Sequence, residues 1–284
     1  MSTPPFVDLP AAVHAVRLPT SGGPLAALRA APGGPARGTA LLVPGYTGSK
    51  EDFIAVLTPL ALAGFDVVAL DQRGQFQSPG SDVPGAYSLG RLGADLLEVL
   101  DALDVERVHL LGHSFGGLVA REAALAAPQR ISTLTIMDSG PAAVPGSSAE
   151  QAKLLVAAAG VLSTAEIWAE IKRIEAAEGA VQNPDPEVRR FLEERFLANA
   201  ASMLVGMGTE IVTAPDRTAE LAAAGLPILV AAGVGDDAWP VEAQKDMAAR
   251  LDAEFVLIED AAHSPAAENP AKTAEILAAF WGQG

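Results

Sequence analysis

Residues 108–118, VHLLGHSFGGL, decide how the rest of the chain is arranged. An apolar run ends there in Gly-x-Ser-x-Gly, and apolar residues then recur at helical spacing up to residue 125. The pattern predicts a strand, a hinge at Ser114 and a helix. A residue on so tight a hinge has strained backbone angles, and the positions two residues away must be small, as Gly112 and Gly116 are. The stretch therefore predicts a serine hydroxyl held clear of a sheet as a nucleophile; an ordinary Gly/Ser-rich turn is the alternative.

The composition excludes several kinds of site. The chain has 284 residues and no cysteine, so disulfides, thiolate metal sites and cysteine nucleophiles are ruled out. Its length suits one α/β domain with an insertion. A net charge of −16 disfavours nucleic acid and anionic membranes as partners. Since no leader pattern opens the sequence and no apolar run reaches about 18 residues, we expect a cytoplasmic protein without membrane insertion.

Apolar runs and helical spacings alternate along the chain. Strands are predicted at residues 13–18, 25–31, 39–43, 65–70, 107–111, 131–137, 226–232 and 254–258, and helices at 53–63, 89–103, 240–251 and 270–281. Such alternation predicts an α/β fold with a mostly parallel eight-stranded sheet flanked by helices. Sites in these sheets lie beyond the carboxyl ends of the strands, where Tyr46, Ser114 and Asp138 fall.

The pattern changes between residues 139 and 224, where helix follows helix without a convincing strand. Helices are predicted at 151–162, 164–178, 186–200 and 202–212. An all-helical insertion of this length most simply covers the strand ends as a cap, although helices packed beside the sheet are the alternative. The sequence thus predicts a first part of the core at 1–138, a helical cap at 139–224 and a second part of the core at 225–284.

A serine hydroxyl needs a neighbouring base to take its proton, usually histidine. Of the four histidines, His14 lies in a predicted hairpin and His109 inside the strand before the hinge. His113 adjoins Ser114 at a sharp turn, where neighbouring side chains point apart, so a structural role is expected for all three. His263 follows the last predicted strand and falls on the side of the site, which makes it the expected base.

The base in turn needs a carboxylate that fixes its tautomer. Asp236 follows the predicted strand 226–232 and gives the chain order Ser114, Asp236, His263 that accompanies this kind of hinge. Asp237 is the close alternative and Asp138 a more distant one. Aspartate is common in turns and helix caps, so a structural role is the alternative for each of the three.

A tetrahedral intermediate needs two hydrogen-bond donors for its oxyanion. The backbone N–H of Phe115 is expected at a helix N-terminus, and that of Tyr46 in the loop after Pro44-Gly45. That loop is not a phosphate loop, because Lys50 is followed by Glu51 where a Ser or Thr is required. Nucleotide binding is therefore not expected, and nothing in the sequence suggests a metal or an organic cofactor.

The chain resembles the α/β-hydrolase family, in its form with a helical cap, over nearly its whole length. The resemblance is carried by residues 112–117 (GHSFGG), 71–74 (DQRG), 233–240 (GVGDDAWP) and 263–270 (HSPAAENP). It implies that Asp236, three residues after Gly233 and four before Pro240, is the acid. The chain departs from the family at Pro44-Gly45, where His-Gly is usual, so contacts made by a histidine there are absent.

A serine at the hinge argues against the related dehalogenases and epoxide hydrolases, which use aspartate. It leaves hydrolysis of esters, thioesters, lactones, amides or carbon–carbon bonds, and perhydrolase activity. The first hypothesis is a carboxylic ester hydrolase that forms an acyl-enzyme on Ser114. The alternatives are a carbon–carbon hydrolase of ring-cleavage products and, in another class, a low-turnover ligand receptor on a hydrolase scaffold.

The expected partner is a small, largely apolar substrate, and a homo-oligomer is compatible with the sequence. Candidates to line an apolar pocket are Trp168, Phe191, Phe196, Met203 and Met207. At helical spacing such residues more often belong to the core, so one or two are expected at the pocket. The diketo acid of carbon–carbon hydrolysis would also need an arginine, for which the sequence offers Arg73, Arg173, Arg189 and Arg190.

Overall fold

An eight-stranded sheet forms the centre of the structure, a computed structural model that describes residues 2–179 and 182–283. The strands are β1 (Val13–Leu18), β2 (Leu25–Ala30), β3 (Gly38–Val43), β4 (Phe65–Leu70), β5 (Val108–His113), β6 (Ile131–Met137), β7 (Ile228–Gly233) and β8 (Glu254–Ile258). Their spatial order is β1-β2-β4-β3-β5-β6-β7-β8. The pairs β1–β2 and β2–β4 are antiparallel, and the other pairs are parallel. The predicted architecture is confirmed.

Eleven α-helices are assigned in the described ranges. They are α1 (Ile54–Leu62), α2 (Leu89–Ala102), α3 (Phe115–Ala126), α4 (Gly146–Ala159), α5 (Thr164–Ala177), α6 (Pro186–Ala198), α7 (Ala201–Thr213), α8 (Thr218–Ala223), α9 (Val241–Leu251), α10 (Pro265–Glu268) and α11 (Pro270–Trp281). Short 3₁₀ turns cover Lys50–Phe53 and Pro128–Arg130.

Some helix boundaries differ from those predicted. Helix α4 begins at Gly146 instead of residue 151, because its first turn is mostly polar and exposed and adds little to the apolar spacing. Helices α8 and α10 were not expected, since six and four residues are too few to show a helical period.

The sheet buries both of its faces under helices. The central strands β4, β5 and β7 are buried along their whole length, which explains their continuous apolar runs. Helices α1 and α11 cover one face, and α2, α3 and α9 cover the other. On the first face, the imidazole of His109 stacks on the indole of Trp281 with ring centroids 5.6 Å apart. Because β3 to β8 pair in parallel, their carboxyl ends lie at one edge of the sheet.

Helices α4 to α8 all lie between β6 and β7 in sequence, within the segment predicted as a cap. Helices α4 and α7 pack on each other, and α8 packs on the core helices α3 and α9. Hydrogen bonds connect α7, and the residue just before it, to the loops that follow the strands. The N–H of Ala200 donates to the Gly74 carbonyl at 2.9 Å, and the Tyr46 hydroxyl donates to the Leu204 carbonyl. The division of the chain at residues 139 and 224 stays a prediction.

None of the described helices is by itself long and apolar enough to cross a membrane. Helices α6 and α7 taken together have the length and apolar composition of a membrane span, but they are bent by 90° relative to each other.

The close backbone packing at Gly112, beside the hinge, can be tested by a stability measurement. In Gly112→Ala the added methyl group would overlap backbone atoms of Gly116 and Gly117. We expect urea denaturation to show a loss of about 1–3 kcal/mol in the free energy of unfolding. Gly33→Ala is the matched control, because nothing lies within 4 Å of its added methyl. Its change should stay within about 0.5 kcal/mol, and equal losses in the two variants would contradict the close approach at Gly112.

Candidate active site

Ser114 occupies the hinge between β5 and α3 in a strained conformation. Its backbone angles are φ +56° and ψ −125°, a region that residues other than glycine rarely adopt. The hinge is held by a hydrogen bond from the Ser114 N–H to the Met137 carbonyl at 2.9 Å, and by one from the Gly117 N–H to the Ser114 carbonyl at 2.8 Å. Side chains at Gly112 or Gly116 would run into neighbouring backbone. The sequence thus folds locally so that the serine hydroxyl projects beyond the sheet edge.

His263 connects Ser114 to Asp236. Its Nε2 lies 3.0 Å from the Ser114 Oγ, and its Nδ1 lies 2.7 Å from an Asp236 oxygen. A carboxylate only accepts hydrogen bonds, so Nδ1 carries the proton that faces Asp236 and the lone pair of Nε2 faces the serine hydroxyl. The structure therefore brings together the three side chains that the sequence selected, in the geometry of a nucleophile, a base and an orienting acid.

Asp236 is surrounded by donors. Besides His263, its carboxylate accepts from the Ala238 N–H at 2.9 Å and from the Gln244 side-chain amide at 2.6 Å. Burial alone would raise the pKa of Asp236, but the hydrogen bond and charge of His263, with these two donors, outweigh it and lower the pKa. Asp236 is thus held in the ionised form that an imidazolium needs beside it.

The two alternative aspartates lie in different environments. Asp237 is exposed. Asp138 is fully buried at the end of β6, where it accepts a hydrogen bond from the Gly233 N–H at 2.9 Å. Burial, and then the negative charge of Asp236, raise the pKa of Asp138 well above its usual range. Burial therefore favours the neutral form of Asp138, and its hydrogen bond to Gly233 joins the ends of β6 and β7.

Asp138, Asp236 and His263 are close enough to suggest a metal site. One potential ligand atom from each lies within 4.8 Å of the others. Both ring nitrogens of His263 already face partners, however, one at Asp236 and the other at Ser114. The cluster is thus used as a hydrogen-bonded chain and offers no free imidazole nitrogen to an ion.

The predicted oxyanion donors flank Ser114. A Cβ added to Gly45 would lie 3.1 Å from the Ser114 Cβ, so the loop after β3 passes directly beside the nucleophile. Within the described ranges, the N–H of Tyr46 makes no hydrogen bond. Phe115 is the first residue of α3, where backbone N–H groups have no partner inside the helix. Both groups are thus available to a negatively charged oxygen formed next to Ser114.

The other histidines are placed away from the proton path. His113 is buried and its Nε2 donates to the carbonyl oxygen of His263 at 2.5 Å. Burial, and then the charge of His263, lower the pKa of His113 to about 4, so it is neutral at pH 7. His109 contacts the Thr133 hydroxyl at 3.0 Å, and His14 is exposed on β1. His113 thus fixes the backbone from which the base projects.

Three buried glutamines and a tryptophan support the site and were missed from the sequence. Gln72 and Gln75 donate to carbonyls of the loop after β3, and Gln244 donates to Asp236. The indole of Trp239 stacks near the His263 ring at 6.4 Å between centroids. Buried amides follow no periodic pattern, and only the position of Gln72 and Gln75 in and beside the DQRG motif at 71–74 could have drawn attention to them.

The apolar candidates for a pocket are all buried, at Trp168, Phe191, Phe196, Met203 and Met207. Three of them pack on aromatic rings. Trp168 lies 5.3 Å from Phe196, and Phe191 lies 5.6 Å from Phe76, between ring centroids. A surface cleft of about 390 Å³ opens beside α7, next to Tyr87 and Ser202, and its lining does not include Ser114.

The arginines named for a diketo acid are engaged or exposed. Arg73 is buried and paired with Asp95 through hydrogen bonds of 2.8 and 2.6 Å. Arg173 forms an exposed pair with Glu170 on α5. Arg189 and Arg190 are exposed on α6. The structure brings none of these four into the hydrogen-bonded chain at Ser114.

Comparison with known proteins points to one family and to several activities. A family model described as alpha/beta hydrolase fold matches residues 40–270. One curated relative is a provisionally named carbamate hydrolase, RutD, of Variovorax paradoxus, 37% identical over 107 residues, or 37% of this chain and 40% of that protein. Another is a 2-hydroxy-6-oxononadienedioate/2-hydroxy-6-oxononatrienedioate hydrolase of Cupriavidus pinatubonensis, 43% identical over 98 residues, or 34% of this chain and 33% of that protein. The alignments thus span less than half the length of these relatives.

Solved structures are similar over nearly their whole length. A hydrolase from Pseudomonas aeruginosa superimposes with a TM-score of 0.76 at 29% identity, covering 95% of this chain and 98% of that one. The carboxylesterase CesB of Bacillus subtilis superimposes with a TM-score of 0.76 at 17% identity, covering 97% of this chain and 94% of that one. The second likeness shows the shared fold alone.

The choice between the neighbouring aspartates can be tested by matched substitutions. Asp236→Asn is expected to lower kcat by about 10⁴-fold, because an amide no longer fixes the tautomer of His263 that accepts the serine proton. Asp237→Asn changes an exposed neighbour in the same way and should leave kcat close to that of the wild type. Steady-state hydrolysis of a p-nitrophenyl ester measures both, and equal losses would remove the support for Asp236.

Proposed function

Because the chain belongs to the alpha/beta hydrolase family, we propose that it is a serine hydrolase that cleaves a carboxylic ester, thioester or lactone of a small, largely apolar substrate. The observation that carries the proposal is the hydrogen-bonded chain from Asp236 through His263 to Ser114. No binding event or rearrangement is needed to assemble it. A serine with a base at 3.0 Å, oriented by an acid at 2.7 Å, is the arrangement that acyl transfer requires.

The first half of the reaction forms an acyl-enzyme. His263 Nε2 accepts the hydroxyl proton while the Ser114 Oγ attacks the ester carbonyl, and Asp236 stabilises the imidazolium that results. The carbonyl oxygen becomes an oxyanion facing the N–H groups of Tyr46 and Phe115, each of which can contribute about 10²–10³-fold to the rate. The intermediate collapses as the C–O bond to the alcohol breaks, and His263 returns its proton to the departing oxygen.

The second half regenerates the enzyme. His263 removes a proton from a water molecule, whose oxygen attacks the acyl carbon of the ester on Ser114. The second oxyanion meets the same two N–H groups, and the carboxylic acid leaves as the Ser114 oxygen takes the proton back from His263. Each proton taken by His263 is thus returned within the same half-reaction.

The preference for an apolar substrate follows from the surroundings of Ser114. The residue is 6% exposed, and the Tyr46 ring packs edge-on against Phe115 at 6.5 Å between centroids. We propose that helices α4 to α7 act as a cap that excludes water and receives the apolar part of the substrate. The bond between the Tyr46 hydroxyl and the Leu204 carbonyl supports this role, because it connects an oxyanion-loop residue to α7.

Carbon–carbon hydrolysis is the alternative that the relative from Cupriavidus pinatubonensis suggests. The chemistry needs a cation for the carboxylate of its diketo acid, and Arg73 is already neutralised by Asp95. Carbamate hydrolysis, which the RutD relative suggests, uses the same attack on a carbonyl with nitrogen as the leaving atom. The ester is preferred because it makes the fewest demands beyond the hydrogen-bonded chain itself.

The proposal is tested by stopped-flow hydrolysis of p-nitrophenyl esters from acetate to decanoate. The wild type should release a burst of one equivalent of p-nitrophenol per active site and then turn over steadily, because with so good a leaving group the acyl-enzyme forms faster than it is hydrolysed and accumulates. The chain length with the highest kcat/KM gives the size of the acyl site.

Ser114→Ala is the control for that experiment and should show neither phase. If the wild type does not turn over any ester of the series, the ester proposal fails. The same assay with a p-nitrophenyl carbamate and with a ring-cleavage diketo acid then decides between the two alternatives. A single slow turnover with retained product would favour the ligand receptor.

A further inference from the structure

Three consecutive carbonyl groups beside Ser114 are held by two buried glutamines. The oxyanion loop is defined as residues 44–48, and these carbonyls belong to its first three residues. The side-chain amide of Gln72 donates to the Pro44 carbonyl at 2.9 Å. That of Gln75 donates to the Gly45 carbonyl at 2.6 Å and to the Tyr46 carbonyl at 3.1 Å. The Gln75 side chain is completely buried.

The Gly45 carbonyl and the Tyr46 N–H belong to one peptide group. A trans peptide is planar, and its C=O and N–H point in opposite directions. A hydrogen bond that fixes the direction of the Gly45 oxygen therefore also fixes the direction of the Tyr46 N–H. Gln75 thus acts on the donor proposed for the oxyanion through the other end of the same peptide group.

Gln75 is itself oriented by backbone contacts. Its side-chain oxygen accepts from the Gln72 N–H at 2.9 Å, which leaves the amide nitrogen facing the loop carbonyls. Its own N–H donates to the Gln72 carbonyl at 2.9 Å, and its carbonyl accepts from the Ser78 N–H at 2.8 Å. The amide therefore has one satisfied orientation, in which both N–H bonds are directed at the oxyanion loop.

Gln72 and Gln75 differ in the peptide group that each one holds. Gln72 contacts the Pro44 carbonyl, whose peptide carries the N–H of Gly45. Gln75 contacts the Gly45 carbonyl, whose peptide carries the N–H of Tyr46. Both side chains are buried amides of the same type in one loop. They form a matched pair in which Gln75 alone bears on the proposed donor.

We propose that Gln75 is a positioning residue that aims the Tyr46 N–H at the oxyanion formed on Ser114. The inference rests on the proposed acyl transfer at Ser114. Without Gln75, the Gly45 carbonyl keeps only the longer bond from the Gly48 N–H, at 3.2 Å, and the peptide can rotate away from the preorganised direction. Preorganised donors stabilise the transition state and not the bound ester, so the effect is expected in kcat and little in KM.

The test compares Gln75→Ala and Gln75→Met with Gln72→Ala in the full chain. Gln75→Met keeps the approximate size of the side chain and removes the donor, so it covers the case in which Gln75→Ala fails to fold. Thermal unfolding of each variant measures the structural cost. Kinetics on the best p-nitrophenyl ester measure kcat and KM, and a trifluoromethyl ketone with the same acyl chain reports on oxyanion binding.

Both Gln75 variants are expected to lower kcat by about 10²-fold with little change in KM. Their inhibition constants for the ketone should rise by a similar factor, because the ketone places an oxyanion at the same position. Gln72→Ala should lose comparable thermal stability with a much smaller loss of kcat. A purely structural role would not produce this difference between the two glutamines.

Two results would overturn the inference and are distinguishable from each other. An active wild type whose Gln75 variants keep wild-type kcat and ketone affinity, or lose activity only as much as Gln72→Ala does, removes the positioning role alone. A wild type that neither turns over esters nor binds the ketone removes the proposed function, and the positioning role with it.

Discussion

The strained backbone at Ser114 is the constraint on which the rest of the structure depends. A positive φ at a residue other than glycine costs of order 1–3 kcal/mol, and it persists only where the surrounding structure determines it. Here β5 is hydrogen-bonded between β3 and β6, and the hinge is closed by the bond from the Ser114 N–H to the Met137 carbonyl. The stability of the buried central strands thus holds the hydroxyl in a position that a free turn would not keep.

The parallel sheet then delivers the partners of Ser114 to the same edge. The oxyanion loop follows β3, Asp236 follows β7 and His263 follows β8. Asp138, at the end of β6, adds a second carboxyl group close to Asp236. The two acids differ in their environment, since donors keep the pKa of Asp236 low while burial keeps that of Asp138 high. The carboxylate of Asp236 is placed on the Nδ1 side of the base, at 2.7 Å.

The sequence predicted the elements whose signal is local or set by chain order. The hinge at Ser114 lies between a buried-strand pattern and a helical pattern, and His263 was the histidine left when structural roles were expected for the other three. The resemblance to the family favoured Asp236 over Asp237, whereas the apolar pattern does not separate them, because only the direction of the turn after β7 turns one side chain inward and exposes the other. Gln75 was not predicted, since its role depends on a hydrogen bond to a carbonyl 30 residues away. Long-range contacts of this kind leave no periodic trace.

The central claim, that Ser114 is a nucleophile activated by His263, is tested most directly by mass spectrometry after reaction with a fluorophosphonate. Trypsin should release residues 108–121 as one peptide, in which Ser114 is the only hydroxyl side chain. A single adduct on this peptide is expected in the wild type, with labelling slowed by orders of magnitude in a folded His263→Ala variant, where no base accepts the proton. An adduct on a different peptide, or labelling of the variant at the wild-type rate, would contradict the claim.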